Sequence, residues 1–281
     1  MNQKSLQLND ENILFVRKII FALNMLMSDD EIENFQKERI IFIKMDTEKI
    51  WKDGEWTNEA RQIIDGLKNF PDNSKIILIL RHSHRNDSPT MEKSHKERLS
   101  PQGHTIAKKF GENLPRSRSI KIFYSHIWRC EETANNIHEG FENVGGASEV
   151  KGELKALQSV GILDEPFYRN EFTTVPILDI FYRWAVGFYN PNVWTPFIEY
   201  CQSMAHIILE QVKNSPENGL DLFITHDFNI LALRFGWFGF LPKKWVKFLG
   251  GFAFTIKEDQ FLLLDNGELK QQATPHWWEK S

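Results

Sequence analysis

Arginine, histidine and aspartate meet in this chain in three short motifs: RHSHR at 81–85, YSHIWRCEETA at 124–134 and THDFNI at 225–230. The candidate residues they supply are Arg81, His82, Arg85, Arg129, His226 and Asp227. Guanidinium forks match the nonbridging oxygens of a phosphoryl group and hold them by charge-assisted hydrogen bonds. An imidazole nitrogen is a competent nucleophile and can carry a covalent intermediate. A second imidazole can stabilise charge that develops during in-line transfer, and a carboxyl can protonate a leaving alkoxide. That division of labour fills every role with the residues named and requires no metal.

For the set to work, secondary structure must bring it to one place. Ile76 to Leu80 form an unbroken apolar run, and 220–225 reads LDLFIT. Both suit strands buried on two faces. The first is expected over 75–80, and a third strand over 119–124. In an open α/β sheet the ligand crevice lies outside the carboxyl ends of the strands. Arg81-His82, Ser125 with Arg129, and His226-Asp227 each follow such an end.

The alternation of strands with helices predicts a doubly wound α/β fold with a mostly parallel sheet and helices on both faces. Ser100 followed by Pro101 predicts a helix start, with Ser100 as N-cap, and Pro115 its end. Gly111 lowers that helix's propensity. A second helix is expected over 127–138 and a loop over 140–148, with a short strand near 149–151. Residues 158–214 read as a helical insertion, with helices over 177–189 and 196–212. A helix follows His226 to about Phe235, and Asn266-Gly267 predicts a terminal hairpin. Residues 1–74 read as a helical N-terminal extension, with helices over about 13–27, 28–45 and 57–70, and 75–281 as the α/β domain.

Composition bounds the function. The chain has 281 residues, a formal charge of −4, 41% hydrophobic and 26% charged residues, as expected for a globular protein. An acidic balance argues against general nucleic-acid binding, so cationic chemistry must be local. Two cysteines, Cys130 and Cys201, give neither a disulfide framework nor a metal spacing, which points to a reducing, cytoplasmic setting. The apolar stretch 13–27 is interrupted by Arg17 and Lys18. It lacks signal-peptide features and is too short to span a bilayer, so no membrane association is expected.

With LSPQG at 99–103 added, the motifs RHSHR, YSHIWRCEETA and THDFNI stand in the order and spacing of the histidine phosphatase superfamily, the phosphoglycerate mutase-like fold, which the chain resembles over roughly residues 75–265. The resemblance implies that His82 is transiently phosphorylated and that Arg81, Arg85, Arg129 and His226 bind the phosphate. It implies that Asp227 is the general acid, as in the acid-phosphatase branch. The mutase branch takes its acid from a glutamate after the second helix. Here 151–156 reads KGELKA, with Ala156 where that glutamate would stand and Glu153 nearby. The resulting expectation is a phosphomonoester hydrolase without cofactor, acting on a phosphorylated small molecule or phosphoprotein. A mutase-type phosphotransferase and a non-catalytic phosphate-binding protein are the alternatives. The sequence leaves oligomeric state open.

Other residues read as support. His84, His95 and His104 have no metal-ligand spacing, and His126 has no assigned role. Ser125 and Thr133 read as structural, Cys130 as a buried thiol, and Trp277-Trp278 as packing. The stretches 84–99 and 158–196 are expected to wall the pocket, offering Lys93, Lys96, Arg98, Arg169 and Arg183 as further cations.

Overall fold

The computed structural model describes residues 46–86, 96–158, 160–242, 244–257 and 260–278. The helices expected over 13–27 and 28–45, together with His95 and Lys93, lie outside the described residues. By its internal contacts, Ile50–Ser281 is one compact unit.

Seven strands form one sheet, in the order β3-β2-β4-β1-β5-β6-β7. They are β1 (Ile76–Arg81), β2 (Ile120–Tyr124), β3 (Ser148–Glu153), β4 (Leu220–Thr225), β5 (Gly251–Lys257), β6 (Gln260–Asp265) and β7 (Glu268–Ala273). The parallel half is β3, β2, β4 and β1. From β5 onward the pairing is antiparallel, and β6 and β7 form the expected hairpin about Asn266-Gly267.

Side-chain alternation on the central strands supplies two cores, one on each face. Ile76, Leu78 and Leu80 join Ile122, Leu222 and Ile224 on one face. There they meet α1 (Asn58–Leu67), α2 (Pro101–Asn113) and α3 (Trp128–Asn143). Ile77 and Ile79 face the other way with Phe123 and Phe223, whose rings stack at 5.0 Å. That second core is covered by α5 (Ile177–Ala185), α6 (Phe197–Val212) and α7 (Asp227–Phe238). The buried Ala60, Ile63, Ile64 and Leu67 of α1 share a core with Ala253 of β5 and Leu264 of β6. Trp278 packs against Trp237 and Phe261, the packing role expected for it.

Three local expectations need correction. The second helix, α3, continues to Asn143 rather than ending at His138, because Ile137 and Phe141 are both fully buried and extend its apolar face. Within the insertion, α5 stops at Ala185, four residues short of Tyr189, and Gly187 then turns the chain at φ 74°. The insertion also holds α4 (Glu165–Thr174), not expected from the sequence, whose apolar face is short: Phe167, Tyr168 and Phe172 are only partly buried. Asp164 caps α4 by accepting the Phe167 N–H at 2.9 Å.

Gly111 has a packing reason that offsets its propensity cost. A Cβ there would lie 2.1 Å from the Ile137 carbonyl oxygen, so glycine lets α2 and α3 cross in close contact.

Candidate active site

The register of the parallel strands aligns the site. Arg81 pairs with Thr225 across β1 and β4, and Tyr124 with Ile224 across β2 and β4. The residues that follow, His82, His226 and Ser125, therefore emerge side by side at one sheet edge. The N-termini of α3 and α7 bring Arg129 and Asp227 to the same edge. Arg81, His82, Arg85, Arg129, His226 and Asp227 all line one cavity of ≈ 310 Å³.

His82 is 2% exposed. Its Nδ1 lies 2.8 Å from the Ser83 carbonyl oxygen, and its Nε2 lies 3.0 Å from the Arg129 Nε. A guanidinium only donates. Nε2 therefore accepts, and the proton sits on Nδ1, bonded to the Ser83 carbonyl. This network assigns the tautomer that leaves the Nε2 lone pair on the Arg129 side. Burial holds the imidazole well below its ordinary proton affinity, and the charges of Arg129, Arg81 and His226 act in the same direction.

That shift has a sign for stability. The unfolded histidine takes up a proton near pH 6.5, whereas the folded one does so only at lower pH. The stability contributed by keeping His82 neutral is therefore complete above about pH 6.5 and is lost as pH falls from there toward the folded value. The drop in urea midpoint from about pH 7 to about pH 5 is expected to be smaller in His82→Asn than in the parent. Equal drops would contradict the assignment of a buried neutral imidazole.

His226 lies across from His82, with ring centroids 5.5 Å apart. Its Nδ1 accepts from an Arg129 terminal nitrogen at 3.2 Å, and its Nε2 is 3.1 Å from the Ser125 hydroxyl. Arg129 thus bridges the two imidazoles. Burial lowers the proton affinity of Arg129, and the like charges of Arg85 and Arg81 add to that while Cys130 and Asp227 oppose it. Three guanidiniums around one cavity repel one another, and an anion placed among them relieves that repulsion.

Arg81 donates to Asp227 Oδ2 at 2.7 Å and to the Val246 carbonyl at 2.5 Å, and its guanidinium lies 4.2 Å from the centre of the Phe248 ring. Arg85 donates to the Asn86 carbonyl, while its buried Nε has no hydrogen-bond partner among the described residues. Asp227 is held in three ways. Its Oδ1 accepts the Phe228 N–H at 2.9 Å, and its Oδ2 accepts from Trp245 Nε1 at 2.9 Å and from Arg81. Glu153 is exposed at the end of β3 and does not line the cavity.

Sequence reasoning missed the loop 244–250, which supplies Trp245, the Val246 carbonyl and Phe248. Its only signal is the aromatic spacing of KKWVKFLGG at 243–251. The loop closes on β1 through Arg81 N–H to the Gly250 carbonyl at 2.8 Å, and Leu249 adopts a left-handed φ of 53°. Ser83 and Thr133 support the backbone. The Ser83 N–H donates to Thr133 Oγ1 at 3.0 Å, and the Ser83 hydroxyl donates to the Gly103 carbonyl at 2.7 Å. A Cβ on Gly103 would meet the His84 carbonyl oxygen at 2.0 Å, so LSPQG seats the first turn of α2 against RHSHR. Ser100 caps that turn at 3.1 Å from the Gly103 nitrogen, as expected.

His84 stands apart from the cavity, 2.7 Å from the Ser100 hydroxyl and between Trp56 and Phe248. His104 pairs with Asn136, and His126 is exposed. Cys130 and Cys201 are free, buried thiols, and burial pushes Cys130 up to about 12, so it is not a nucleophile near neutral pH. Among the described residues no cluster of three or more metal-ligating side chains is present, and no helix is long and apolar enough to cross a membrane.

No protein-family model matches the sequence, and no curated protein matches it either. Solved structures do align with it. A mycobacterial glucosyl-3-phosphoglycerate phosphatase aligns at 14% identity and TM-score 0.48, over 74% of this chain and 100% of that one. A phosphoserine phosphatase from Entamoeba histolytica aligns at 12% identity and TM-score 0.45, over 72% and 98%. A phosphoglycerate mutase from Bacillus anthracis aligns at 15% identity and TM-score 0.43, over 72% and 94%. At such values none of them carries an activity over to this chain. The chemistry rests on the cavity.

Proposed function

We propose that the protein is a phosphomonoester hydrolase that works through phosphorylated His82. The observation that carries this reading is a buried, neutral imidazole whose Nε2 faces a cavity lined by Arg81, Arg85 and Arg129. Substrate phosphate binds among the guanidiniums and takes over the Arg129 and Arg81 donors. Release of the Arg129 Nε contact frees the Nε2 lone pair for in-line attack. The N–P bond forms as the P–O bond to the alcohol breaks. His226 and the arginines hold the charge on the equatorial oxygens.

Asp227 gives the departing alkoxide its proton. The carboxyl and a phosphate dianion are like charges at close quarters, and their repulsion falls when the pair holds one proton. A water then attacks phosphorus, its proton passing to Asp227, and the N–P bond breaks to release inorganic phosphate. The charge neutralisation that a metal could provide comes from the three arginines, so no cofactor is needed.

Asp227 is the carboxylate among the described residues lining the cavity, which favours it over Glu153 as the acid and hydrolysis over mutase-type transfer. Incubation with an aryl phosphate and a chelator is expected to release inorganic phosphate at the rate seen without chelator. Transfer of phosphate between positions of one small acid, without release, would indicate the mutase chemistry instead. Tight phosphate binding with no release would indicate a phosphate-binding protein.

A further inference from the structure

Beyond the phosphate clamp, the cavity changes character. Tyr168 and Phe172 of α4, Ile177 of α5, Ile127, Val160, Phe228 and Trp245 line most of the remainder, joined by the uncharged polar residues Gln158 and Asn229. The Phe172 ring contacts Tyr168 at 4.2 Å and Phe228 at 5.6 Å, so the aromatics form a joined wall. Burial pushes the Tyr168 hydroxyl up to about 12, which keeps it neutral. Trp245 sets its ring against Asp227 itself, its indole N–H donating to Asp227 Oδ2 at 2.9 Å. The apolar wall is therefore on the side where the leaving alcohol must stand.

Three of the cations expected to read further negative charge are used elsewhere. Arg98 pairs with Glu132 at 2.6 Å and lies over Trp128. Arg169 pairs with Glu165 at 3.3 Å, and Arg183 with Glu171 at 3.0 Å. None of them, nor Lys96, lines the cavity. Among the described residues, the cations facing the cavity are those of the single phosphate clamp. A volume of ≈ 310 Å³ is at the small end of ligand sites.

We infer that the substrate is the phosphate monoester of a small apolar alcohol, ring-bearing or branched, without a second phosphate or a carboxylate. This rests on the hydrolase reading above. A carboxylate or second phosphate in the outer part of the site would lose its hydration against aromatic carbon, with no cation among the described residues there to replace it. An apolar ring there gains burial.

The test compares 2-phenylethyl phosphate, glycerol 3-phosphate and 3-phosphoglycerate. All three release a primary alcohol, so differences report contacts beyond the phosphate rather than leaving-group acidity. The phenylethyl ester is expected to exceed glycerol 3-phosphate in kcat/KM by roughly tenfold or more and 3-phosphoglycerate by roughly a hundredfold. Phe172→Ala is expected to shrink the first ratio by about tenfold. If 3-phosphoglycerate or a bisphosphate released inorganic phosphate as well as the phenylethyl ester, the substrate class would be wrong while the hydrolase reading stood. An unchanged ratio in Phe172→Ala would likewise overturn the apolar wall as the source of selectivity. If none of the esters yielded phosphate, both readings would fall together.

Discussion

His82→Ala is expected to lower kcat for aryl phosphate hydrolysis by at least about 10⁴-fold, to the background left by binding alone. The size follows from the role. Arginines and His226 can still orient the phosphate, but no atom remains to form the N–P bond. Water could attack directly only if it occupied the place of Nε2, with no base there to take its proton. Loss of folding is a separate matter, because His82 is buried among Arg129, His226 and Phe248. His82→Asn keeps a polar group of similar reach. Both variants are expected to bind inorganic phosphate, measured by calorimetry, while releasing none from substrate. A His82→Ala protein that folds, binds phosphate and retains more than about a tenth of parental kcat would remove the nucleophile from the account.

Asp227→Asn is expected to separate proton donation from a purely positioning role of the carboxylate. A general acid contributes about 10²–10⁴-fold, and it matters most when the leaving group is a poor one. An alkyl alkoxide needs the proton as the P–O bond breaks, whereas a nitrophenolate can depart without it. The substitution should therefore cost about 10²–10⁴ in kcat for an alkyl phosphate and much less for nitrophenyl phosphate. Asparagine keeps one acceptor oxygen, so it can hold the Phe228 N–H or the Trp245 N–H but not both, since its amide nitrogen only donates. It also loses the charge that pairs with Arg81. A purely positioning role would instead lower both substrates by the same factor.

The parts of the site legible in the sequence share one property: each lies directly after a buried strand or in the first turn of the helix that follows. Unbroken apolar runs reveal β1 and β4, and strand ends in a parallel sheet must converge, so Arg81, His82, His226 and Asp227 could be placed together without any contact being known. Arg129 followed because α3 starts just beyond β2. Position along the chain was less informative where tertiary packing decides. α4 has only the partly buried Phe167, Tyr168 and Phe172 as its apolar face, a short pattern within a long insertion, although it brings Tyr168 and Phe172 to the cavity. The loop 244–250 has no regular structure to betray it. Its contacts to Arg81 and Asp227 come from β5 pairing antiparallel beside β1, a long-range event that local pattern does not encode. Gly111 shows the same limit in reverse. Its propensity cost is visible in the sequence, and the close crossing with Ile137 that justifies it is not.

Arg98, Arg169 and Arg183 show why charge alone is a weak guide to specificity. Each had a credible role as a reader of substrate charge, and each is instead paired with a carboxylate. A guanidinium is available to substrate when the fold leaves its donors facing the cavity, as with Arg85, whose buried Nε has no partner among the described residues.

The central claim is a covalent bond between His82 Nε2 and phosphorus. Rapid mixing with a ³²P-labelled aryl phosphate, followed by denaturing quench and peptide mapping, tests it most directly. The account predicts label on the protein within one turnover, stable in alkali and lost in acid as a phosphoramidate should be, on the peptide containing His82 and absent from His82→Ala. Turnover with no protein-bound label at any quench time, or acid-stable label on Ser83, Ser125 or Thr133, would contradict it.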